Sequence, residues 1–480
     1  MMKATLRSAV LLGLLVSGTP AFAEVQNVKI SGDITARAFM RKNLDLHDEH
    51  QKTGAGADAS GAGSTPLEGE NFFMTTTGIN IGADLTENVS AFVRLANERD
   101  WNVTATPAAT SDVAISQSYI TLKELFYSPL TVRIGRQPIT WGRGFVLGNY
   151  LIPGTVYRAN DLHSSITANE FTDFTAFDAI RATLDLSNVG GMSLPLMLDT
   201  VYIKLNENSP SIGDDVNLMG FNLGTKFNSM SSEAELYYLN KRDKSGGGAG
   251  SNTNKDGSVS TLGIRGSTKP MESAYAWGEL AYQFGQNAVD PSASTLVGEG
   301  HQAWAFDLGL EYTLANVPTT PKLGWEWEFW SGKNSDNGVA GWDPIARGYY
   351  TTALREFQTG GTTLGFYPTD QVGDTGASTN QSQMGWYVTL KPIEDLSITP
   401  RLTFFWQDIG AVPVSTDTGT RTGGDRRHFA GTEWDTNMVY NYTDDVQFGV
   451  LYALFSPGSI YRTPNDSTAQ ELITTVGVKF

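Results

Sequence analysis

Residues Glu471 to Phe480 change character at every step: Leu472, Thr474, Val476, Val478 and Phe480 fall on one face, Glu471, Thr475, Gly477 and Lys479 on the other. A period of two belongs to an extended strand whose side chains alternate between two surfaces. Segments of this kind, roughly ten residues or longer, recur from Val28 to the last residue, about eighteen in all. One face apolar and the other charged suits a wall with hydrocarbon outside and water inside. A soluble sandwich or propeller also alternates, but it buries its aromatics mid-strand. Here Trp325, Trp327, Phe329, Trp386, Phe404, Trp406, Trp434, Tyr440, Tyr442, Phe448 and Tyr452 share the apolar face, many near segment ends, where interfacial girdles sit. The expected fold is therefore all-β: a transmembrane antiparallel β-barrel of about 18 strands with long extracellular loops and short periplasmic turns.

The connections carry the same asymmetry. Thr86 to Asn88, Tyr127 to Ser128, Asn228 to Ser231, Lys269 to Ser273, Glu394 to Asp395 and Asp444 to Asp445 read as tight turns. Asn43 to Gly69, Gly144 to Phe174, Asp243 to Asp256, Ala288 to Glu299, Gly332 to Thr379 and Ile409 to Asp425 read as long loops. Residues 1–23 have the pattern of a secretory leader, with Lys3 and Arg7, an apolar run from Ala9 to Val16 and a small-residue Ala21-Phe22-Ala23 end. That leaves residues 24–480 as a single barrel domain in the Gram-negative outer membrane, facing lipid and lipopolysaccharide. No other stretch is apolar enough for a spanning helix, so any crossing is made by strands. A net charge of −17 argues against nucleic acid as a partner. With 0 cysteines there is no disulfide, thiolate metal site or covalent haem attachment, and no cofactor or metal is expected.

The phase of each strand names the water-filled face. In the first segment Val28, Ile30, Ile34, Ala36 and Met40 point to lipid, which turns Lys29, Asp33, Arg37 and Arg41 inward. The same reading places Arg94, Lys123, Arg133, Arg181, Lys226, Arg265 and Arg401 inside, with Glu98, Asp185, Glu235, Glu279, Asp307, Glu311, Glu326, Glu328, Glu433 and Asp435 as carboxylate counterparts. A charge on the lipid side costs about 2–4 kcal/mol at the midplane, which supports these assignments. Strict alternation turns Arg136 outward, and a bulge at Gly135 or Pro138 is expected to bring it back. Basic residues dominate the early segments and acidic ones segments eleven to thirteen. Two arrangements follow: arcs that face each other and set a transverse field, or a ladder of structural ion pairs.

Leu130-Thr131-Val132-Arg133-Ile134-Gly135-Arg136-Gln137 resembles the R-x-G-R-Q strand of alginate-export-type outer-membrane porins. Gly431 to Tyr440, followed by Phe448 to Gly458, resembles that family's closing hairpin, with its G-x-E-x-D strand and F-x-P-G exit. The resemblance implies an 18-stranded monomeric barrel that passes solutes passively, its founding activity being export of the polyanion alginate through an arginine-rich lumen. The function expected is thus an outer-membrane channel for hydrophilic solutes, including anionic oligo- or polysaccharide. A sleeve around a separately encoded multihaem cytochrome is the second reading, and a barrel hydrolase the third. No G-x-S-x-G elbow or Ser, His and acid set supports the hydrolase.

Two loops stand out. Gly144 to Phe174 is apolar for an exposed loop (Phe145, Val146, Leu147, Tyr150, Leu151, Ile152), so it is expected to fold into the lumen as a constriction, with a cap on the outer rim as the alternative. Gly332 to Thr379 holds Asp343 before Pro344, a helix-start pattern, and is expected to form a short helix over the mouth. His47-Asp48-Glu49-His50 lacks metal-site spacing and reads as a solvated loop. Asp214-Asp215 and Asp444-Asp445 read as plain turns rather than calcium sites.

Overall fold

The computed structural model describes residues 27–44, 46, 70–101, 113–127, 129–148, 167–187, 194–207, 215–227, 229–244, 257–286, 300–332, 339–358, 379–411, 426–461 and 466–480. The leader expected at 1–23, the His47–His50 cluster and Asp214 lie outside the described residues. The strands are β1 (Asn27–Lys42), β2 (Glu70–Asp84), β3 (Val89–Asp100), β4 (Ala114–Leu122), β5 (Leu130–Gln137), β6 (Phe177–Asp185), β7 (Leu196–Asn206), β8 (Val216–Phe227), β9 (Ser232–Asp243) and β10 (Gly257–Met271). They continue as β11 (Ala274–Gln286), β12 (Gly300–Thr313), β13 (Lys322–Trp330), β14 (Val339–Ala340), β15 (Gln381–Ile393), β16 (Leu396–Ala411), β17 (Arg427–Asn441), β18 (Val446–Pro457) and β19 (Ala469–Lys479).

Each wall strand pairs antiparallel with its neighbours in sequence, and β1 closes the cylinder on β19 with Asp33 opposite Lys479 and Arg41 opposite Glu471. β13 pairs directly with β15, so the two-residue β14 belongs to a loop, where it lies parallel to β12. The wall is therefore a closed barrel of 18 strands. A closed sheet leaves no edge, which lets every backbone amide find a partner without water. Among the described residues no helix is long and apolar enough to cross a membrane.

Alternation sorts the side chains as the sequence implies. Ile134, Ile180, Leu236 and Leu280 point out and are exposed, while Arg94, Glu279, Asp307 and Glu328 point in and are buried. Trp304, Phe306, Trp327 and Phe329 pack together on the outer face towards the long loops, Trp327 edge-on to Phe306, and Tyr440, Tyr442 and Phe448 cluster near the short turns. Short connections are as tight as expected: Glu394 and Asp395 alone join β15 to β16, and Thr86 to Asn88 lie within the β2–β3 turn. The Lys269 to Ser273 turn is narrower than its sequence suggests, because β10 runs on to Met271 past a register shift.

Large inward side chains lie flat on the wall, over glycines of the next strand. A Cβ at Gly309 would sit 1.9 Å from the Trp277 ring, and one at Gly324 would sit 2.1 Å from that of Tyr387. Replacing Gly309 with leucine must displace Trp277, which donates from Nε1 to Asp307 at 3.0 Å. Overpacking of this kind costs about 1–3 kcal/mol. The urea midpoint of G309L, followed by heat-modifiable gel migration, should fall accordingly; an unchanged midpoint would refute this packing.

Candidate functional site: loops inserted in the lumen

The inner face divides by height. Towards the short turns Tyr275, Glu311, Tyr387 and Thr399 are half-buried, an open vestibule. Towards the long loops Ile203, Leu218, Gln283, Ala303 and Phe405 are each 0–1 % exposed. Three inserted segments account for this.

The first, residues 138–148, leaves the end of β5. Ile139, Trp141, Phe145, Val146 and Leu147 are buried against Val201, Ile203, Leu218, Tyr237 and Leu239 of the wall, and Phe145 stacks on Trp330 at 5.4 Å between centroids. Trp141 donates from Nε1 to Asp199 at 2.8 Å. The apolar Gly144 to Phe174 loop thus folds inward over its first described residues, 144–148; residues 149–166 lie outside the description. The inserted turn delivers Arg143, whose guanidinium lies 3.9 Å from the Trp277 ring centre, 2.8 Å from Glu326 and 3.5 Å from Asp307.

The second segment, residues 339–358, binds the first. Gly348 N donates to Gly144 O at 2.6 Å and Gly148 N to Ala346 O at 2.7 Å. A side chain at Gly348 would put its Cβ 2.4 Å from the Cα of Gly148, so both positions need glycine. The helix expected at Asp343 does not form: Lys241 holds the Asp343 carboxylate at 2.6 Å and Gln283 takes its backbone N–H and C=O, keeping the chain extended. A single helical turn, α1 (Arg355–Gln358), follows instead, within the lumen rather than over the mouth. Its first amides are satisfied by the wall: Leu354 N and Arg355 N donate to Glu433 at 2.6 and 2.8 Å. Orphan donors at a helix start favour an anion, which Glu433 supplies. Arg347 is 1 % exposed, bonds Glu328 at 2.8 Å and Glu356, and lies over Trp330. Burial disfavours its charge, but Glu328 and Glu356 outweigh that and raise its pKa above the ordinary arginine value. The Tyr349 hydroxyl lies 3.0 Å from Asp307 and 2.8 Å from Glu328, so its one proton serves whichever carboxylate it faces.

The third segment, residues 167–175, lines β1 to β3. Arg41 holds Glu471 at 2.6 Å and also Glu170; Glu98 accepts from Thr172 Oγ1 at 2.9 Å and from Asp173 N. Arg94 bridges Asp33 and Asp173, both at 2.8 Å.

The remaining residues singled out by phase fall as follows. Arg37 lies over Phe171 at 4.6 Å and reaches Thr76 Oγ1; Arg133 lies over Tyr119 at 4.5 Å and reaches Thr121 Oγ1. Arg181 pairs with Asp199 at 2.8 Å, Arg265 with Glu235 at 2.7 Å and Arg401 with Glu326 at 3.2 Å. Glu279 accepts from the Tyr237 hydroxyl, Asp435 stands opposite Arg401 in the register, and Lys29 is exposed near the short-turn rim. Two placements correct the expectation. Lys123 lies one residue beyond β4, exposed in a turn, so strand phase does not apply to it. Arg136 stays on the outer face: Gly135 adopts a φ of +121° without shifting the register, and Arg136 stands opposite outward Asp178, with a 2.7 Å ion pair.

Strand phase could not find Arg143, Arg347, Tyr349, Glu170 or Asp173, because loops carry them. These loop groups, and not the basic arc of the wall, meet the acidic arc. Carboxylate oxygens of Asp307, Glu326 and Glu328 come within 4.8 Å of one another, a spacing suited to a cation, and the guanidiniums of Arg143 and Arg347 take that role.

The alginate export family model matches residues 43–475. The chain belongs to the alginate export family. Among solved structures, this member resembles Acinetobacter baumannii OccAB1, with 10% identity over 95% of this chain and 98% of that one and a TM-score of 0.52. It likewise resembles Pseudomonas aeruginosa OccK9 (OpdG), with 10% identity over 95% and 99% of the two chains and a TM-score of 0.51. At such identity the likeness is one of fold. No curated protein sequence matches the chain. This family member is an outer-membrane β-barrel with a porin-like channel.

Proposed function

We propose that the channel passes anionic hydrophilic solutes passively, including acidic oligo- or polysaccharide such as alginate. The observation that carries this reading is the state of the inward charges. Asp307, Glu326, Glu328 and Glu433 are consumed by the inserted loops, whereas Arg37 and Arg133 have no carboxylate within ion-pair distance among the described residues. Each is braced between an aromatic ring and a threonine hydroxyl, which fixes the guanidinium; Glu98 and Glu170 act on Arg37 from beyond contact, and Arg133 is the less compensated of the two. The family's export of alginate agrees with that sign. The conducting unit is one chain, since each barrel closes on itself. Leader removal at residues 1–23, lipopolysaccharide around the wall and the absence of catalysis belong to the same reading. A cytochrome sleeve needs an empty bore, and the inserted segments occupy it.

Reversal potentials across planar bilayers in a salt gradient test the proposal. The R37Q/R133Q variant should shift selectivity towards cations and lose block by alginate oligomers; an unaltered reversal potential would sink the idea.

A further inference from the structure

Several glycines of the inner wall lie under large side chains of the next strand. Arg94 covers Gly78, Tyr237 covers Gly263 and Arg401 covers Gly385, each so closely that a Cβ on the glycine would fall 2.1–2.5 Å from it. Gly82, two residues from the short-turn end of β2, differs: among the described residues a Cβ built there meets no atom within 4 Å. The register sets Gly82 between Lys29 of β1 and Phe92 of β3, so a gap opens on the inner face between an exposed ammonium and an aromatic ring. The ring is held in place. Phe92 stacks on Tyr119 at 5.1 Å between centroids, and the Arg133 guanidinium lies 4.5 Å from the Tyr119 ring centre. One row deeper on the same two strands Ser31 pairs with Asn80, whose Nδ2 donates to Ser31 Oγ at 3.3 Å.

We propose that this gap is a subsite for one hexuronate unit of an acidic oligosaccharide, with the sugar ring stacked on Phe92 and its carboxylate on Lys29. It rests on the anionic-solute reading above and adds a place where the chain is gripped, at the short-turn mouth. Lys29 and Phe92 stand two strand spacings of about 4.8 Å apart, which leaves room for a single sugar ring at about 3.5–4 Å from the aromatic face. The C–H face of a pyranose carries the partial positive charge that the face of an aromatic ring attracts. Its hydroxyls suit the hydroxyl and amide of Ser31 and Asn80. An inorganic anion would use the ammonium and leave Phe92 idle, whereas a neutral sugar would leave Lys29 without a partner. Only an acidic sugar engages both walls of the gap.

Open space over Gly82 makes Gly82→Leu a filling variant that the wall tolerates. Block of single-channel current by trimannuronate, added on the short-turn side of a planar bilayer, should weaken roughly tenfold in G82L and in F92L and stay near wild type in F92Y. K29Q should weaken it as well, and mannotriose, which has no carboxylate, should block far less than trimannuronate. Reversal potentials of G82L, F92L and F92Y should not move, because none of them changes a charge. Undiminished block in G82L, absence of block in the wild type, or equal block by mannotriose would overturn the subsite. Each of these results leaves anion selectivity standing, since R37Q/R133Q tests that separately.

Discussion

Replacing Arg347 with leucine should empty much of the outer half of the lumen. The guanidinium is the cation between Glu328 and Glu356, both 0 % exposed, and it also lies over Trp330 and beside Tyr349. Its loss leaves two carboxylates buried against each other. Breaking a buried pair by removing one partner costs about 3–5 kcal/mol. The barrel wall does not depend on that pair, since its backbone ladder closes without the loop. The cost therefore falls on the insertion of residues 339–358, and the segment should leave the bore. Single-channel conductance of R347L should rise several-fold while the heat-modifiable barrel band persists. R347L/E328Q/E356Q, which removes the stranded charges, should recover part of the wild-type conductance. If R347L conducts like the wild type, the ion pairs do not hold the constriction.

Phe145→Ala acts on the other inserted segment and through another force. Phe145 is 1 % exposed, stacks on Trp330 and is enclosed by apolar side chains that point into the bore. Truncating a buried phenylalanine costs about 3–5 kcal/mol, through lost burial and the cavity left behind. Residues 138–148 should loosen, carrying Arg143 away from Asp307 and Glu326 and exposing two carboxylates to the passage. F145A should therefore show both larger conductance and a shift towards cation selectivity, opposite in cause to the R37Q/R133Q effect. Proteolysis between residues 138 and 148 in intact membranes gives an independent readout. Resistance equal to the wild type, with unchanged currents, would show that this packing does not fix the loop.

Much of this was legible along the chain. A period of two needs no tertiary knowledge, and it yielded the barrel, the strand number and the inward direction of residues such as Arg94, Glu279, Asp307 and Glu328. The apolar run Phe145 to Leu147 announced an inserted loop, because three large apolar side chains are unlike a solvated turn. A second signal lies in the wall itself: Val201, Ile203 and Leu205 are apolar at positions whose phase points inward, and so are Val216 and Leu218. A strand greasy on both faces within a water-filled barrel needs something to cover its inner face. Helix-start reasoning failed at Asp343 because Lys241 and Gln283, far off in sequence, compete for the capping carboxylate and the backbone.

Sequence alone determined the wall, since alternation is a local property and one-residue errors in phase would put charge in hydrocarbon. It also determined which wall residues face the lumen wherever the strand is regular, and missed at Lys123, where the strand has already ended. Only the tertiary structure decided what those inward charges meet. Arg143 and Arg347 reach the acidic arc because loop closure and buried packing bring them there, and no periodicity encodes that distance. The same holds for Arg136: a glycine with positive φ looked like a reason to turn inward, and the pairing with Asp178 kept it on the outside.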